Sequence, residues 1–292
     1  MSTHRVSSDR AMACFWGHLS PMFRNHWGLR ESPFRGSLDW RSFFPSPTHE
    51  EALARLQFLV EERHRLGLLF GASGCGKSLV LEIFSRQLRR TSAQVANISL
   101  QAVDVREFLW LIAAELGLSP NRRDDVFTLW RAVLDRLSEN CYQQFNTVLL
   151  LDNADDASAS VLEHVARLSQ FQGADRGASR LTIVLAANAA TAMRLPARLL
   201  EAAELRIDVE PWEPGDTVQY VHEAIERSGA ESPIFTTDAI YHLHDLCGGI
   251  PRRVNQLANL SLLAAAGRKL TEIDTDTVES AYHELAVVEA VA

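Results

Sequence analysis

The sequence lacks the long apolar runs and the paired cysteines that mark two large classes of protein. No stretch approaches the roughly 18–20 consecutive apolar residues of a transmembrane helix, and the amino terminus has no apolar run of signal-peptide length. The four cysteines are scattered, without the Cys-x-x-Cys spacing of a zinc site. The ten histidines form no metal-ligand pattern. We therefore expect a cytoplasmic protein without a membrane span, and without a metal other than one that a ligand brings.

Lysine is nearly absent as well. Only Lys77 and Lys269 are lysines among 29 basic residues, so arginine carries almost all of the positive charge. Acidic residues number 37, and the formal net charge of −8 argues against a protein whose whole surface binds nucleic acid. A local basic groove remains compatible with this charge. Because lysines are so few, the position of each one is informative.

Short apolar runs alternate with helical patterns in the first two thirds of the chain. Runs with the length of buried strands occur at 66–70, 95–100, 147–151, 181–187 and 205–209. Helical patterns occur near 49–64, 77–90, 104–116, 124–140 and 158–171. This alternation is typical of a parallel sheet with helices on both faces. We therefore predict an α/β domain at 22–211.

The pattern changes after Pro211, where strand-like runs end. Helical patterns alone follow, near 214–228, 236–246, 251–267 and 274–285. They predict a small all-helical domain at 212–292. Residues 1–21 show no convincing periodicity, so we predict a disordered tail there, with Met22 as a candidate natural start of the protein.

A glycine-rich segment follows the first predicted strand and fits the spacing G-x-x-x-x-G-K-[ST]. Glycines let such a loop curl so that backbone N–H groups point at phosphate oxygens, and the next helix adds the positive end of its dipole. In this pattern the Lys77 ammonium contacts the β and γ phosphates, and the Ser78 hydroxyl ligates Mg²⁺. The predicted nucleotide-binding residues are Gly71, Ala72, Ser73, Gly74, Cys75, Gly76, Lys77, Ser78 and Leu79. We favour a small tolerated side chain at Cys75 over a redox-sensitive thiol.

A second magnesium ligand is predicted at Asp152, which ends the third apolar run. AAA+ ATPases, which this combination resembles, usually carry a glutamate at the next position to polarise the attacking water. Here that residue is Asn153, whose amide can orient water but cannot accept its proton. Asp155 and Asp156 could replace this base, although we favour them as caps of the following helix. We therefore predict that ATP is bound well and hydrolysed slowly.

Two further positions complete the predicted catalytic set by the same resemblance. Asn188 ends the fourth run, where a polar sensor 1 residue can reach the γ-phosphate; a simple turn asparagine is the alternative. Arg252 stands at a helix start after Pro251, the position of a sensor 2 arginine that folds over the phosphates. The candidates for an arginine that acts in trans on a neighbouring subunit are Arg194, Arg198 and Arg206, of which the last two lead.

Taken together, these residues resemble AAA+ ATPases of the ExeA type, the general secretion pathway protein A family. The resemblance covers about 22–285 and is strongest in the segments 26–34, 46–55, 234–239 and 248–255. It implies a P-loop NTPase fold, with a parallel five-stranded sheet, flanking helices and a small C-terminal helical lid. It also implies ATP and Mg²⁺ as ligands, a hexameric ring, and residues 47–49 near the adenine. The sequence departs from the family pattern in two respects. Asn153 replaces the expected glutamate, and the transmembrane segment and peptidoglycan-binding part of full-length family members are not found.

Three functions remain open at this point. The first is an ATP-driven or ATP-switched regulator of a protein assembly, which the acidic charge favours. The second is an ATP-dependent DNA-binding regulator, similar to the transposition-regulator ATPases that share this core. Its DNA contacts would come from Arg86, Arg89, Arg90, Arg122 and Arg123, unless these form an ordinary ion-paired surface. The third is a scaffold whose assembly is gated by nucleotide without hydrolysis.

Overall fold

The computed structural model describes residues 21–34, 40–172 and 180–291. Nearly all of the predicted tail at 1–21 lies outside these ranges. A short helix, α1 (Pro21–Trp27), opens the described chain. The chain divides into two compact units, one formed by Pro47–Glu210 and the other by the residues on either side of it.

The Pro47–Glu210 unit is a parallel sheet with flanking helices. Its strands are β1 (Leu66–Gly71), β2 (Gln94–Ser99), β3 (Thr147–Asp152), β4 (Leu181–Asn188) and β5 (Leu205–Val209). They are all parallel and lie in the order β2-β3-β4-β1-β5. The helices are α2 (Pro47–Glu61), α3 (Lys77–Leu88), α4 (Val105–Glu115), α5 (Val126–Tyr142), α6 (Ala159–Ser169) and α7 (Ala197–Ala202). The α/β prediction is confirmed, and each strand was predicted to within one residue.

The register of the sheet brings several strand ends to one edge. Gly71 lies opposite Asn188 across the β1–β4 pair, and Asp152 lies opposite Ser99 across the β2–β3 pair. The three central strands are almost entirely buried, because helices cover both faces with apolar side chains. The carboxyl edge of the sheet is therefore a fixed platform for the loops that follow it.

The second unit contains the predicted carboxyl-terminal helices. They are α8 (Pro214–Arg227), α9 (Thr237–Cys247), α10 (Pro251–Gly267) and α11 (Thr275–Val291). Local side chains start two of them: Glu213 and Asp216 form a capping box at the start of α8, and Thr236 caps α9. The last helix extends six residues beyond its predicted end at 285.

The segment before Pro47 departs from the predicted domain boundary at residue 22. Leu29, Phe34 and Phe44 are buried in the core of the helical unit, and the Trp27 indole donates to the carbonyl of Leu262 at 3.2 Å. The described residues of this segment therefore group with the helices, although the sequence placed them in the α/β domain. The segment has no periodicity of its own, and the contacts that assign it reach distant parts of the chain, 235 residues away for the Trp27–Leu262 hydrogen bond.

Across the three described ranges, no helix combines the length and the apolar character that crossing a membrane requires.

The two glycines after α9 give a test of packing within the helical unit. Gly249 has φ +66°, and a Cβ there would lie 2.2 Å from the carbonyl oxygen of Trp212, whose N–H donates to the Gly249 carbonyl at 2.9 Å. Gly248 also has a positive φ, +58°, but a Cβ there meets no atom within 4 Å.

We expect Gly249→Ala to destabilise the protein by about 2 kcal/mol more than Gly248→Ala. Both variants bear the left-handed strain of a non-glycine residue, about 1–2 kcal/mol, and only the first adds a backbone clash. Urea unfolding followed by circular dichroism measures the difference. Equal losses would show that the Trp212 contact imposes no constraint.

Candidate nucleotide-binding site

The predicted phosphate loop lies between β1 and α3 and depends on glycine in two different ways. Gly74 and Gly76 have φ of +91° and +96°, conformations that other residues rarely adopt. Gly71 has an ordinary φ, but a Cβ there would lie 2.6 Å from the carbonyl oxygen of Val209 on β5. Glycine at 71 is thus required by the neighbouring strand, whereas glycine at 74 and 76 is required by the curl of the loop.

Lys77 is the first residue of α3, and its side chain turns back across the loop. Its Nζ donates to the carbonyl oxygens of Gly71 at 2.9 Å and Ala72 at 3.0 Å. The ammonium is therefore held inside the curve of the loop, together with the N-terminal end of the α3 dipole. Both positive features favour an anion at this point.

Ser78 and Asp152, the two predicted magnesium ligands, are in direct contact. The Ser78 hydroxyl donates to Oδ2 of Asp152 at 2.5 Å, which joins the start of α3 to the end of β3. Both residues supply oxygen, the ligand atom that Mg²⁺ prefers. The donor set therefore fits a magnesium ion held by one hydroxyl and one carboxylate, with further positions for phosphate and water.

Asn153 lies beside the end of β2 in a left-handed conformation, with φ +55°. Its amide group donates to the Ser99 hydroxyl at 3.0 Å, and its backbone N–H donates to Oδ1 of Asp152 at 2.9 Å. Asparagine is one of the few non-glycine residues that tolerate this conformation well. At the position where the resemblance leads us to expect a glutamate, the side chain is thus an amide that donates to a neighbouring hydroxyl.

Asp155 has a role that the sequence did not predict. One carboxylate oxygen accepts the backbone N–H of Asn188 at 3.2 Å, and the other accepts the Thr191 hydroxyl at 2.5 Å. It therefore links the loop after β3 to the end of β4. Ser158, whose hydroxyl accepts the N–H of Val161 at 3.4 Å, caps α6, so the preferred capping role for Asp155 and Asp156 is wrong.

Asn188 lies at the carboxyl edge of the sheet, as the sensor 1 assignment requires. Its side-chain oxygen accepts the N–H of Ala190 at 3.1 Å and so also starts the 3-10 turn Ala189–Arg194. The sensor and turn interpretations are therefore compatible in the same residue.

His49 is a contact residue of the phosphate loop that motif spacing could not reveal. It is 3% exposed, on the buried face of α2 with Ala52 and Leu56, and its Nε2 lies 2.8 Å from the carbonyl oxygen of Cys75. The resemblance had placed 47–49 only near the adenine. The apolar period of α2 is the one signal that could have assigned His49 to the interior.

Cys75 is fully buried, as expected for a small side chain packed behind the loop. Burial raises the pKa of its thiol, although the nearby Lys77 ammonium acts in the opposite direction. A buried neutral thiol is a poor nucleophile. These properties favour the packing interpretation over a redox-sensitive thiol.

The predicted arginines all lie at exposed positions. Arg252 is the second residue of α10, in the helical unit. On the α/β unit, Arg198 lies 3.6 Å from Glu163, whereas Arg206 makes a bidentate interaction with Asp208 and stacks on Phe70. Arg206 is therefore the more firmly held of the two predicted trans arginines.

Comparison with known proteins agrees with this geometry. Residues 60–194 match the family model described as "AAA domain". General secretion pathway protein A from Aeromonas hydrophila is 27% identical over 266 residues, which are 90% of this chain and 48% of the relative. The chain thus spans about half the length of that curated relative.

Solved structures share the fold at low sequence identity. Cdc6p from Pyrobaculum aerophilum has a TM-score of 0.64 and 21% identity, over 80% of this chain and 68% of that one. The structure of Drosophila ORC bound to DNA has a TM-score of 0.68 and 18% identity, over 98% of this chain and 76% of that one. The ORC2 protein of Aeropyrum pernix has a TM-score of 0.65 and 14% identity, over 86% of this chain and 72% of that one.

These findings confirm the P-loop AAA+ fold, a five-stranded parallel sheet with flanking helices followed by carboxyl-terminal helices. Residues 60–194 match the AAA domain model, in a chain that resembles general secretion pathway protein A over 90% of its length.

Proposed function

We propose that this protein binds ATP with Mg²⁺, hydrolyses it slowly, and uses the change of nucleotide state to switch a protein assembly. The contact between Ser78 and Asp152 carries the proposal, because it joins the phosphate loop to the strand-end carboxylate at one point. A glycine-rich loop alone would support anion binding only. A loop combined with two adjacent oxygen ligands supports a nucleoside triphosphate with a divalent cation.

The proposal assigns each residue of the site a role in binding phosphate, holding magnesium or placing water. The loop N–H groups and the Lys77 ammonium bind the phosphates, and Asn188 helps to place the attacking water. Magnesium, held by Ser78 and Asp152, would neutralise phosphate charge. Asn153 orients water through its amide but takes no proton, so the rate gain of a general base, about 10²–10⁴-fold, is missing.

We propose roles for two of the predicted arginines by analogy with the resembled family. We assign Arg252 to a sensor 2 role toward the phosphates, and we expect a homo-oligomer, hexameric by analogy with the resembled family. Arg198 is the better candidate to act on a neighbouring copy, because its 3.6 Å pairing with Glu163 is looser than the bidentate pairing of Arg206.

A protein client is favoured over DNA by the state of the basic residues. Arg86 pairs with Glu82, and Arg89 pairs with Glu115, so two of the five candidate DNA contacts already have acidic partners. The net charge of −8 acts in the same direction. A salt-sensitive shift of DNA that requires ATP would instead identify the DNA-binding alternative.

The scarcity of lysine provides a matched pair of variants. Lys77→Gln should weaken ATP binding and lower turnover at least about 100-fold, because it removes the charge at the phosphates. Lys269→Gln removes the only other lysine, at an exposed position, and should behave as the native protein. Nucleotide titration and phosphate release measure both. Equal activity in the two variants would refute the proposal.

Replacement of Asn153 tests the proposed slow hydrolysis. Asn153→Glu supplies a base and should raise kcat at least about tenfold. Asn153→Gln has the same length without a base, and should stay near the native rate. Single-turnover hydrolysis with saturating ATP and Mg²⁺ separates the chemical step from binding. A native rate that already matches or exceeds that of Asn153→Glu would contradict the missing-base argument.

A further inference from the structure

The contact between His49 and the phosphate loop is buried and directional. The Cys75 carbonyl can only accept a hydrogen, so the 2.8 Å contact with His49 requires the hydrogen on Nε2. The N–H of Cys75 is also engaged, at 3.2 Å from the carbonyl oxygen of Ala72. The peptide groups on both sides of Cys75 are therefore fixed, one by the loop itself and one by a side chain from α2.

Peptide geometry extends the effect of this contact to the next residue. The described part of the chain contains no cis peptide bond, and in a trans peptide the C=O and the following N–H point in opposite directions. Because His49 holds the Cys75 carbonyl on its own side, the Gly76 N–H points away from His49. That N–H belongs to the Gly-Lys-Ser end of the loop, whose donors bind phosphate in this motif.

The imidazole also occupies the space that a side chain at position 76 would need. A Cβ on Gly76 would lie 2.6 Å from His49 Nε2, and Gly76 has φ +96°. The ring and the glycine therefore fit each other, and the ring supports the loop from behind. A residue that lacks a donor at the Nε2 position would leave the peptide group between Cys75 and Gly76 without the hydrogen bond that orients it.

We propose that His49 is a positioning residue of the phosphate loop, which holds the Cys75 carbonyl so that the Gly76 N–H faces the nucleotide phosphates. This inference rests on the proposed ATP binding. It assigns His49 to phosphate recognition through the loop, and it requires no contact of His49 with the nucleotide itself.

The test compares variants that differ in their donor. His49→Leu removes the donor and keeps an apolar side chain of moderate size, whereas His49→Gln keeps an N–H that can reach the Cys75 carbonyl. His49→Asn, whose amide stops short of that carbonyl, replaces the leucine variant if the latter does not fold. Glu51→Gln, which breaks only the exposed pair with Arg55 on the same helix, is the matched control.

Titration with ATP and Mg²⁺ gives Kd, and thermal unfolding without nucleotide reports stability separately. We expect Kd to rise about tenfold in His49→Leu or His49→Asn, and to stay within about threefold of native in His49→Gln and Glu51→Gln. Unchanged ATP affinity in the leucine and asparagine variants would overturn the inference. The inference would also be overturned if His49→Gln lost as much ATP affinity as His49→Leu and both variants lost thermal stability in proportion. That pattern would indicate that His49 acts through packing alone.

The same titration separates this inference from the proposal on which it rests. A native chain that binds no ATP overturns the proposed function and the inference together. A native chain that binds ATP as tightly as every His49 variant overturns the inference and leaves the proposed function intact.

Discussion

The parallel register of the central strands is the constraint on which the rest of the site depends. It aligns Gly71 with Asn188 and places Asp152 at the same carboxyl edge. Because side chains alternate faces along a strand, a shift of one residue in β3 would move the Asp152 carboxylate away from Ser78. The apolar core on both sheet faces opposes such a shift, so burial of leucine, isoleucine and valine maintains the contact between Ser78 and Asp152.

Much of the α/β unit could be predicted because its signals are local. Continuous apolar runs bounded by turns define the strands, and the spacing around Lys77 defines the loop. The remaining features depend on contacts between distant parts of the chain. Phe34 and Phe44 fill the core of the helical unit, and His49 reaches a loop 26 residues away. The six-residue helix α7 is too short for its apolar period to be recognised.

The use of arginine and lysine follows the different chemistry of their side chains. Surface arginines such as Arg86, Arg89 and Arg206 pair with carboxylates, for which the planar guanidinium offers several donors. The predicted phosphate loop instead carries a lysine, whose compact ammonium contacts two carbonyl oxygens at 2.9 and 3.0 Å. A point charge of this size fits within the curve of the loop.

The crowding at Gly71 affects how the G-x-x-x-x-G-K-[ST] signature should be interpreted in related proteins whose sequences have diverged. Its missing Cβ is required by the Val209 carbonyl, which lies on the adjacent strand β5 and outside the loop. A descendant that had lost every need for nucleotide would still be selected to keep this glycine, because the sheet would not close around alanine. The first glycine of the signature therefore records an intact fold. Retained activity is better diagnosed from Gly74 and Lys77, whose constraints arise from the loop itself.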